Sequence, residues 1–327
     1  MNALLKRLVA GTAVCAAMVS GAWAQADYPN RAITLVSPVA TGGVYSYFAR
    51  VLGTRLEKKL GKPFVVENRQ GAGTSVGTAS VAKADPDGYT LLIGGSTPLA
   101  INATVFKKLP FDPIADFAPI SLFARTPEVL VVNAATPIHS VADIARLAKE
   151  QPGVLTYATS GPGTALHLEG ELLKIKLGVN ITHVPYRGAL PALNDVAAGH
   201  VTMMFISVAP ALPLIQAGKL RVLGVTTAER VPAVPDAPPL AEVGLPGLNA
   251  DAWYMVLAPA KTPQSILDLL HREIGVIMRD PTVRQDFVRQ GMIPVDSPPM
   301  DKLKQFIEAE IAHWADVATK AGVARSQ

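Results

Sequence analysis

Cysteine is almost missing from this 327-residue chain. Its one copy, Cys15, lies in an apolar leader, so the mature protein is expected to hold none. That excludes disulfides, cysteine metal sites and a thiol nucleophile. The six histidines (His139, His167, His183, His200, His271 and His313) show neither H-x-H nor H-x-x-x-H spacing, and no HExxH occurs. No metal and no cofactor is therefore expected. There is no G-x-S-x-G nucleophile elbow and no Walker A loop. In Gly71-Ala72-Gly73-Thr74-Ser75-Val76-Gly77 the third glycine falls one residue late for a dinucleotide fingerprint, and no acid stands at the ribose position. That stretch reads as a structural loop leading into a helix over Ser75–Ala84. Glu169 and Glu171 share a predicted helix but point to different faces, so they make no ready carboxylate pair. The sequence offers no catalytic constellation, and no enzyme is expected.

Charge is also scarce, at 17% against 49% hydrophobic residues, which fits a packed core and not a disordered chain. Taking away residues 1–24 removes Lys6 and Arg7 and no acid, so 30 basic side chains become 28 against 26 acidic. There is no basic run and no aromatic-basic interleaving, which disfavours nucleic acid as a partner. The one long apolar stretch of the mature chain, Val201 to Ile215, is broken by Pro210 and Pro213 and reads as a strand and a helix start, not a membrane span.

What is present begins with a leader. Lys6 and Arg7 precede a short apolar run, Leu8 to Val19, and Ala22-Trp23-Ala24 is an A-x-A cleavage site. The mature chain is expected to start at Gln25 in the periplasm. Thr12-Ala13-Val14 before Cys15 is no lipobox.

The chain then alternates strands and helices, which places it in the α/β class. Its organising stretch is Ser37 to Arg50. A strand precedes Thr41-Gly42-Gly43, and a helix over Val44–Leu60 follows, with Tyr45 and Ser46 in its first turn. Glycine lets backbone approach a ligand, and a helix N-terminus supplies unpaired N–H groups at the positive end of its dipole. Such a corner suits a carboxylate; a plain βα turn is the alternative. A second corner of the same plan runs through Thr159-Ser160-Gly161-Pro162-Gly163-Thr164 into a helix over Ala165–Leu177. Two uncharged corners suit reversible binding better than chemistry. Ser96 and Thr97 follow a strand over Tyr89–Ile93 and either face the same cleft or cap the next helix. His167 reads as a hydrogen-bonded structural histidine. Thr262-Pro263 reads as an N-cap and N1 pair opening a helix to Arg279.

Several runs together resemble the periplasmic solute-binding proteins of the tripartite tricarboxylate transporter system, the Bug family. They are Pro38 to Arg50, Val65 to Arg69 with Gly71-Ala72-Gly73, Pro86 to Leu92, His183 to Gly188, Ala217 to Arg221 and Ala258 to Pro263. The resemblance covers Tyr28 to the C-terminus. It implies a two-lobed periplasmic-binding-protein fold (type II-like), with two crossovers, a ligand cleft between lobes, and hinge closure on the ligand. Lobe 1 is then expected over residues 25–125 and 252–327, and lobe 2 over 126–251. The implied partners are a small organic carboxylate and the membrane permease of such a transporter, with the receptor itself a monomer. Thr41, Gly42, Gly43 and Ser46 would form one wall, Ser160, Gly161 and Thr164 the other. Ser96, Thr97, Tyr186 and Ser207 would fill the sides.

The family commonly carries an acid where Ser46 and Ile206 stand. Without those acids an amino-acid ligand is disfavoured, and Tyr45, Ile206 and Tyr254 are candidates to make the pocket more apolar. An acid with an aromatic or other apolar body is the expected ligand. An aliphatic di- or tricarboxylate held through Ser46 and water is the alternative. Arg187 either pairs with a ligand carboxylate or is a solvated surface side chain. Two other functions stay open: a ligand-responsive sensor adaptor, and a secreted enzyme using Glu169, His167 or His183.

Overall fold

The computed structural model describes residues 28–248 and 251–326. The leader, its cleavage site and Gln25 lie outside the described residues.

The first sheet grows from short apolar runs. β1 (Ile33–Ser37) pairs in parallel with β2 (Phe64–Asn68) and with β3 (Thr90–Gly95). β4 (Phe117–Thr126) is buried at nearly every position. β10 (Ala252–Pro259) lies between β3 and β4, antiparallel to both, and β11 (Ile293–Pro294) closes the edge. The order is β11-β4-β10-β3-β1-β2. The second sheet has the order β7-β6-β8-β5-β9, from β5 (Glu128–Asn133), β6 (Thr156–Thr159), β7 (Thr182–Pro185), β8 (Met203–Ser207) and β9 (Leu220–Val225). Here β6 runs parallel to β7 and β8, and β5 runs antiparallel to β8 and β9. The fold is two-lobed, as the sequence resemblance implies.

The chain leaves the first sheet at Thr126, crosses over Pro127, and enters the second at Glu128. It returns to the first sheet at Ala252. Arg125 and Asp251 tie the two crossings through a 3.0 Å ion pair. The Thr126 and Tyr254 hydroxyls lie 3.2 Å apart beside it.

Helix α1 (Val44–Leu60) buries Tyr45, Phe48, Ala49, Leu52 and Leu56, the three-and-four spacing of an amphipathic helix. It stops at Gly61, whose left-handed conformation lets its N–H reach the Glu57 carbonyl. Phe48 anchors an aromatic cluster, with ring centroids 5.0 Å from Phe123, 4.7 Å from Tyr254 and 5.3 Å from Phe287. The loop before α2 (Ser75–Ala82) is structural: Asn102 donates to the Gly73 carbonyl at 2.6 Å. A short α3 (Asn102–Val105) follows a π turn. In the second lobe α4 (Val141–Glu150) is capped by Ser140, which accepts from the Asp143 N–H. Then come α5 (Ala165–Leu177), α6 (Ala189–Ala198) and α7 (Val208–Gln216). The chain ends with α8 (Gln264–Met278), α9 (Pro281–Arg289) and α10 (Met300–Lys320). Helix α10 packs on both the Thr97–Val105 segment and α5, so one helix touches both lobes.

Two local expectations change. β3 continues through Gly94 and Gly95 instead of ending at Ile93, because Gly95 pairs with Tyr254. A Cβ at Gly95 would stand 2.3 Å from the Trp253 carbonyl oxygen, so only glycine keeps the strand flat there. Thr262 does not cap α8. Its hydroxyl donates to the Pro259 carbonyl at 2.8 Å, and Pro263 takes the N-cap position. Among the described residues no helix is long and apolar enough to cross a membrane.

Candidate functional site

The first corner joins β1 to α1. Thr41 and Gly42 are exposed, and Gly42 has φ +92 with open space where a Cβ would point. Gly43 caps the helix without a side-chain hydrogen bond, which leaves first-turn N–H groups unclaimed. Tyr45 is buried. It packs edge-on against Tyr254 at 5.0 Å and shares a hydrogen bond with Thr97. Burial pushes the Tyr45 hydroxyl upward against that bond, so both it and the similarly raised Tyr254 stay neutral. Ser46 is fully buried, and its hydroxyl accepts from Arg50 at 2.8 Å. Ser96 is also buried, and its hydroxyl has no partner among the described residues.

The second corner joins β6 to α5. Gly161 takes φ +127 and Gly163 φ +74, values that exclude ordinary side chains. Two hydroxyls hold the turn: Thr159 accepts from the Gly161 N–H at 3.2 Å, and Thr164 donates to the Gly161 carbonyl at 2.8 Å. Two imidazoles stand behind it. The Gly163 N–H donates to His167 Nδ1 at 3.1 Å, which requires a neutral ring with its proton on Nε2. His183 Nε2 lies 2.7 Å from the Thr159 hydroxyl. The rings stack at 4.3 Å, with Tyr157 continuing the stack at 4.9 Å from His183. Burial and the His167 neighbour push His183 down to about 4. Burial likewise lowers His167, against the pull of Glu171. Glu171 itself accepts from Lys174 and from the Tyr157 hydroxyl. His167 is thus the hydrogen-bonded histidine expected from sequence.

Two buried carboxylates, Glu128 and Glu169, lie at the crossing and on the second corner's helix. Glu128 opens β5 opposite Ser207 of β8, and Glu169 lies on the buried face of α5. Their side chains meet, and Ser207 reaches Glu128. Burial pushes Glu128 up to about 7 and Glu169 well above the usual carboxylate range, where the Glu128 charge adds to the effect.

The expected site residues fall into two clusters. Thr41, Gly42, Gly43, Tyr45 and Ser46 sit on or under the first corner, and the Tyr45–Thr97 bond brings Ser96 and Thr97 beside them. Ser160, Gly161 and Thr164 make the second, and the Tyr186 backbone passes beside Gly161. The Tyr186 hydroxyl donates to Asp195 at 2.5 Å; burial and that carboxylate push it up to about 12. Arg187 is exposed. Ile206 is buried in β8, in register with Val129. Thr159 and Glu128 were not among the candidates, and His183 was one only for the enzyme reading. Thr159 was legible as one more hydroxyl in the glycine run. Glu128 carried no local signal, because its partner is 41 positions away. Grooves elsewhere, such as one of about 530 Å3 lined by Arg284, Val288, Arg289 and Ile293, include none of these residues. Among the described residues no cluster of three or more His, Cys, Asp or Glu side chains could hold a metal.

Two lobes, each presenting an uncharged glycine corner at a helix start, define the class of two-lobed binding proteins. The chain belongs to the tripartite tricarboxylate transporter receptor family, TctC, whose profile matches residues 48–323. Protein BugT of Bordetella pertussis is 34% identical over 323 residues, 98% of this chain and 99% of that one. The structure of R. palustris Rpa4515 with adipate is 37% identical, with a TM-score of 0.83 over 91% of this chain and 99% of that one. MatC (Rpa3494) from Rhodopseudomonas palustris with bound malate is 32% identical, with a TM-score of 0.78 over 89% of this chain and 99% of that one. Rpa4515 thus holds adipate and MatC malate, both carboxylates.

Proposed function

We propose that the protein is a periplasmic receptor that captures a small organic carboxylate between lobes formed by residues 25–125 with 252–327 and by residues 126–251. It acts as a monomer and delivers the ligand to the permease of a tripartite transporter. The observation that carries this reading is the pair of glycine corners, each combining first-turn N–H groups with hydroxyls and no formal charge. Thr41, Gly42 and Gly43 serve one side, and Ser160, Gly161 and Thr164 the other. Tyr45, Ser46, Ser96, Thr97, Ile206 and Ser207 shape the walls from beneath, while Tyr186 and Arg187 lie at the second corner's rim. His167 and His183 are tied to Gly163 and Thr159, and Glu169 is enclosed. That supports binding over turnover.

The favoured ligand is an acid with an apolar or aromatic body. Support comes from the absence of an acid at Ser46 and Ile206 and from the apolar Tyr45 and Ile206. The alternative is an aliphatic di- or tricarboxylate held through Ser46 and water, the class of the adipate that Rpa4515 holds.

A thermal-shift panel tests both levels: aromatic acids, adipate, malate and amino acids against the mature protein. A ligand at a hundredfold excess over Kd adds about 2.7 kcal/mol, a rise of several degrees. Shifts with apolar-bodied acids are expected. A shift with adipate or malate and none with the aromatic acids would move the preference to aliphatic acids, and shifts with amino acids alone would remove the inference from Ser46 and Ile206. No shift with any carboxylate would remove the receptor reading.

A further inference from the structure

Glu128 and Glu169 are 4% and 0% exposed. Glu128 Oε2 and both oxygens of Glu169 find no N–H or O–H donor among the described residues. Two bare carboxylates are strongly disfavoured against each other at a buried position, because desolvation and mutual repulsion act together. One proton turns the same contact into a charge-assisted O–H···O hydrogen bond. We propose that Glu128 and Glu169 form a proton-binding site where the chain crosses between the lobes, and that the protein captures its carboxylate together with one proton held there. The linkage to capture rests on the receptor reading above; the proton site itself does not.

The surroundings favour a proton over a metal cation or a buried ion pair. The charged group acting on both members is Asp251, which is negative and is itself paired with Arg125. From β10, Tyr254 feels the Glu128 charge and remains a neutral phenol, its hydroxyl shared with Thr126. From α10, Glu310 accepts from the Trp253 indole at 2.8 Å and is likewise raised by burial. On α5, Glu171 is neutralised by Lys174 at 2.8 Å and faces His167. From β8, the Ser207 hydroxyl reaches Glu128. Burial and the absence of a cationic partner thus act in one direction.

Glu128 stands on the crossing and opposite Ser207, so an anion bound between the lobes adds negative potential at the pair. That potential tightens the hold on the proton. By reciprocity the protonated pair tightens the hold on the anion. The proton comes from bulk water, and the net event is uptake of one anion and up to one proton.

The first test needs no ligand. Carbonyl-labelled glutamate is followed by NMR or infrared through a pH titration of the mature protein. A glutamic acid that is still protonated near neutral pH is expected, and it should vanish in Glu169→Gln, whose amide copies the protonated acid. Glu128→Gln is the second variant, should the first fold poorly. Full ionisation of every glutamate near pH 7 in the wild type overturns the proton site. The second test is calorimetry with adipate in buffers of different ionisation enthalpy. Proton uptake is expected, with affinity falling toward about tenfold per pH unit above the pair's midpoint and a flat profile in Glu169→Gln. No uptake, or equal uptake in the variant, overturns the linkage while leaving the receptor reading intact. Failure of every carboxylate to bind would instead count against the receptor reading, and the labelled-glutamate titration would still decide the site.

Discussion

The two glycine corners share a plan and differ in what stands behind them. Behind the first are neutral phenols, a buried serine and an arginine, all within the first lobe. Behind the second are two stacked imidazoles, a tyrosine and a carboxylate. The same backbone geometry is thus held by groups indifferent to pH on one side and by titrating groups on the other. A strand–glycine–helix turn needs only an N–H donor set at its mouth. Its support is free to vary, and that support decides how the turn responds to its surroundings.

The largest effects should come from steric substitution. Gly95→Ala places a Cβ 2.3 Å from the Trp253 carbonyl and 3.1 Å from the Tyr45 hydroxyl. Backbone cannot yield there, and a loss of about 3 kcal/mol is expected. Gly170→Ala places one 2.2 Å from the buried Tyr157 ring, for about 2 kcal/mol. Thermal unfolding measures both. Only Gly170→Ala should alter the His183 titration, and a change in Gly95→Ala would erase the contrast between the corners.

Next comes pH. His183 and His167 have folded-state values below the ordinary 6.5. The unfolded chain therefore binds more protons, and the stability they contribute is complete above about 6.5 and lost as pH falls toward about 4. Solvent screening at the half-buried His183 leaves this on the order of 1 kcal/mol. His183→Gln should flatten the acid limb of a stability–pH curve. The Glu128–Glu169 pair has the opposite sign. Its raised values favour the folded state at low pH, and that contribution is lost as pH rises from 4.5 through about 7. A curve that Glu169→Gln leaves unchanged on its alkaline side would count against the shared proton.

The smallest effects separate the corners' hydrogen bonds. Ser46→Ala removes the acceptor of Arg50 and should cost about 1 kcal/mol with no pH dependence. Thr164→Val removes the bond to the Gly161 carbonyl and should cost about 0.5 kcal/mol, with faster amide exchange at Gly161. Equal exchange in the two proteins would mean that Thr159 alone holds the turn.

Much of the fold was legible because its signals are local. Helices over Val44–Leu60 and Ala165–Leu177 match the sequence expectation residue for residue, since periodicity and terminal glycines act within a few positions. Strand ends were less so. β3 runs two residues past its expected end, because a strand stops where its partner stops, and the partner is distant in sequence.

Composition and local pattern by themselves determined the α/β class and the two glycine corners, because each depends on residue type or on neighbours along the chain. Tertiary structure alone decided that Ser46 would be buried under Arg50, that His167 and His183 would stack behind Gly163, and that Glu169 would meet Glu128 and not Glu171. Those outcomes depend on which strands pair and which helix faces are covered, and burial, the largest cause of the shifts at His167, His183, Glu128 and Glu169, exists only once the chain has folded.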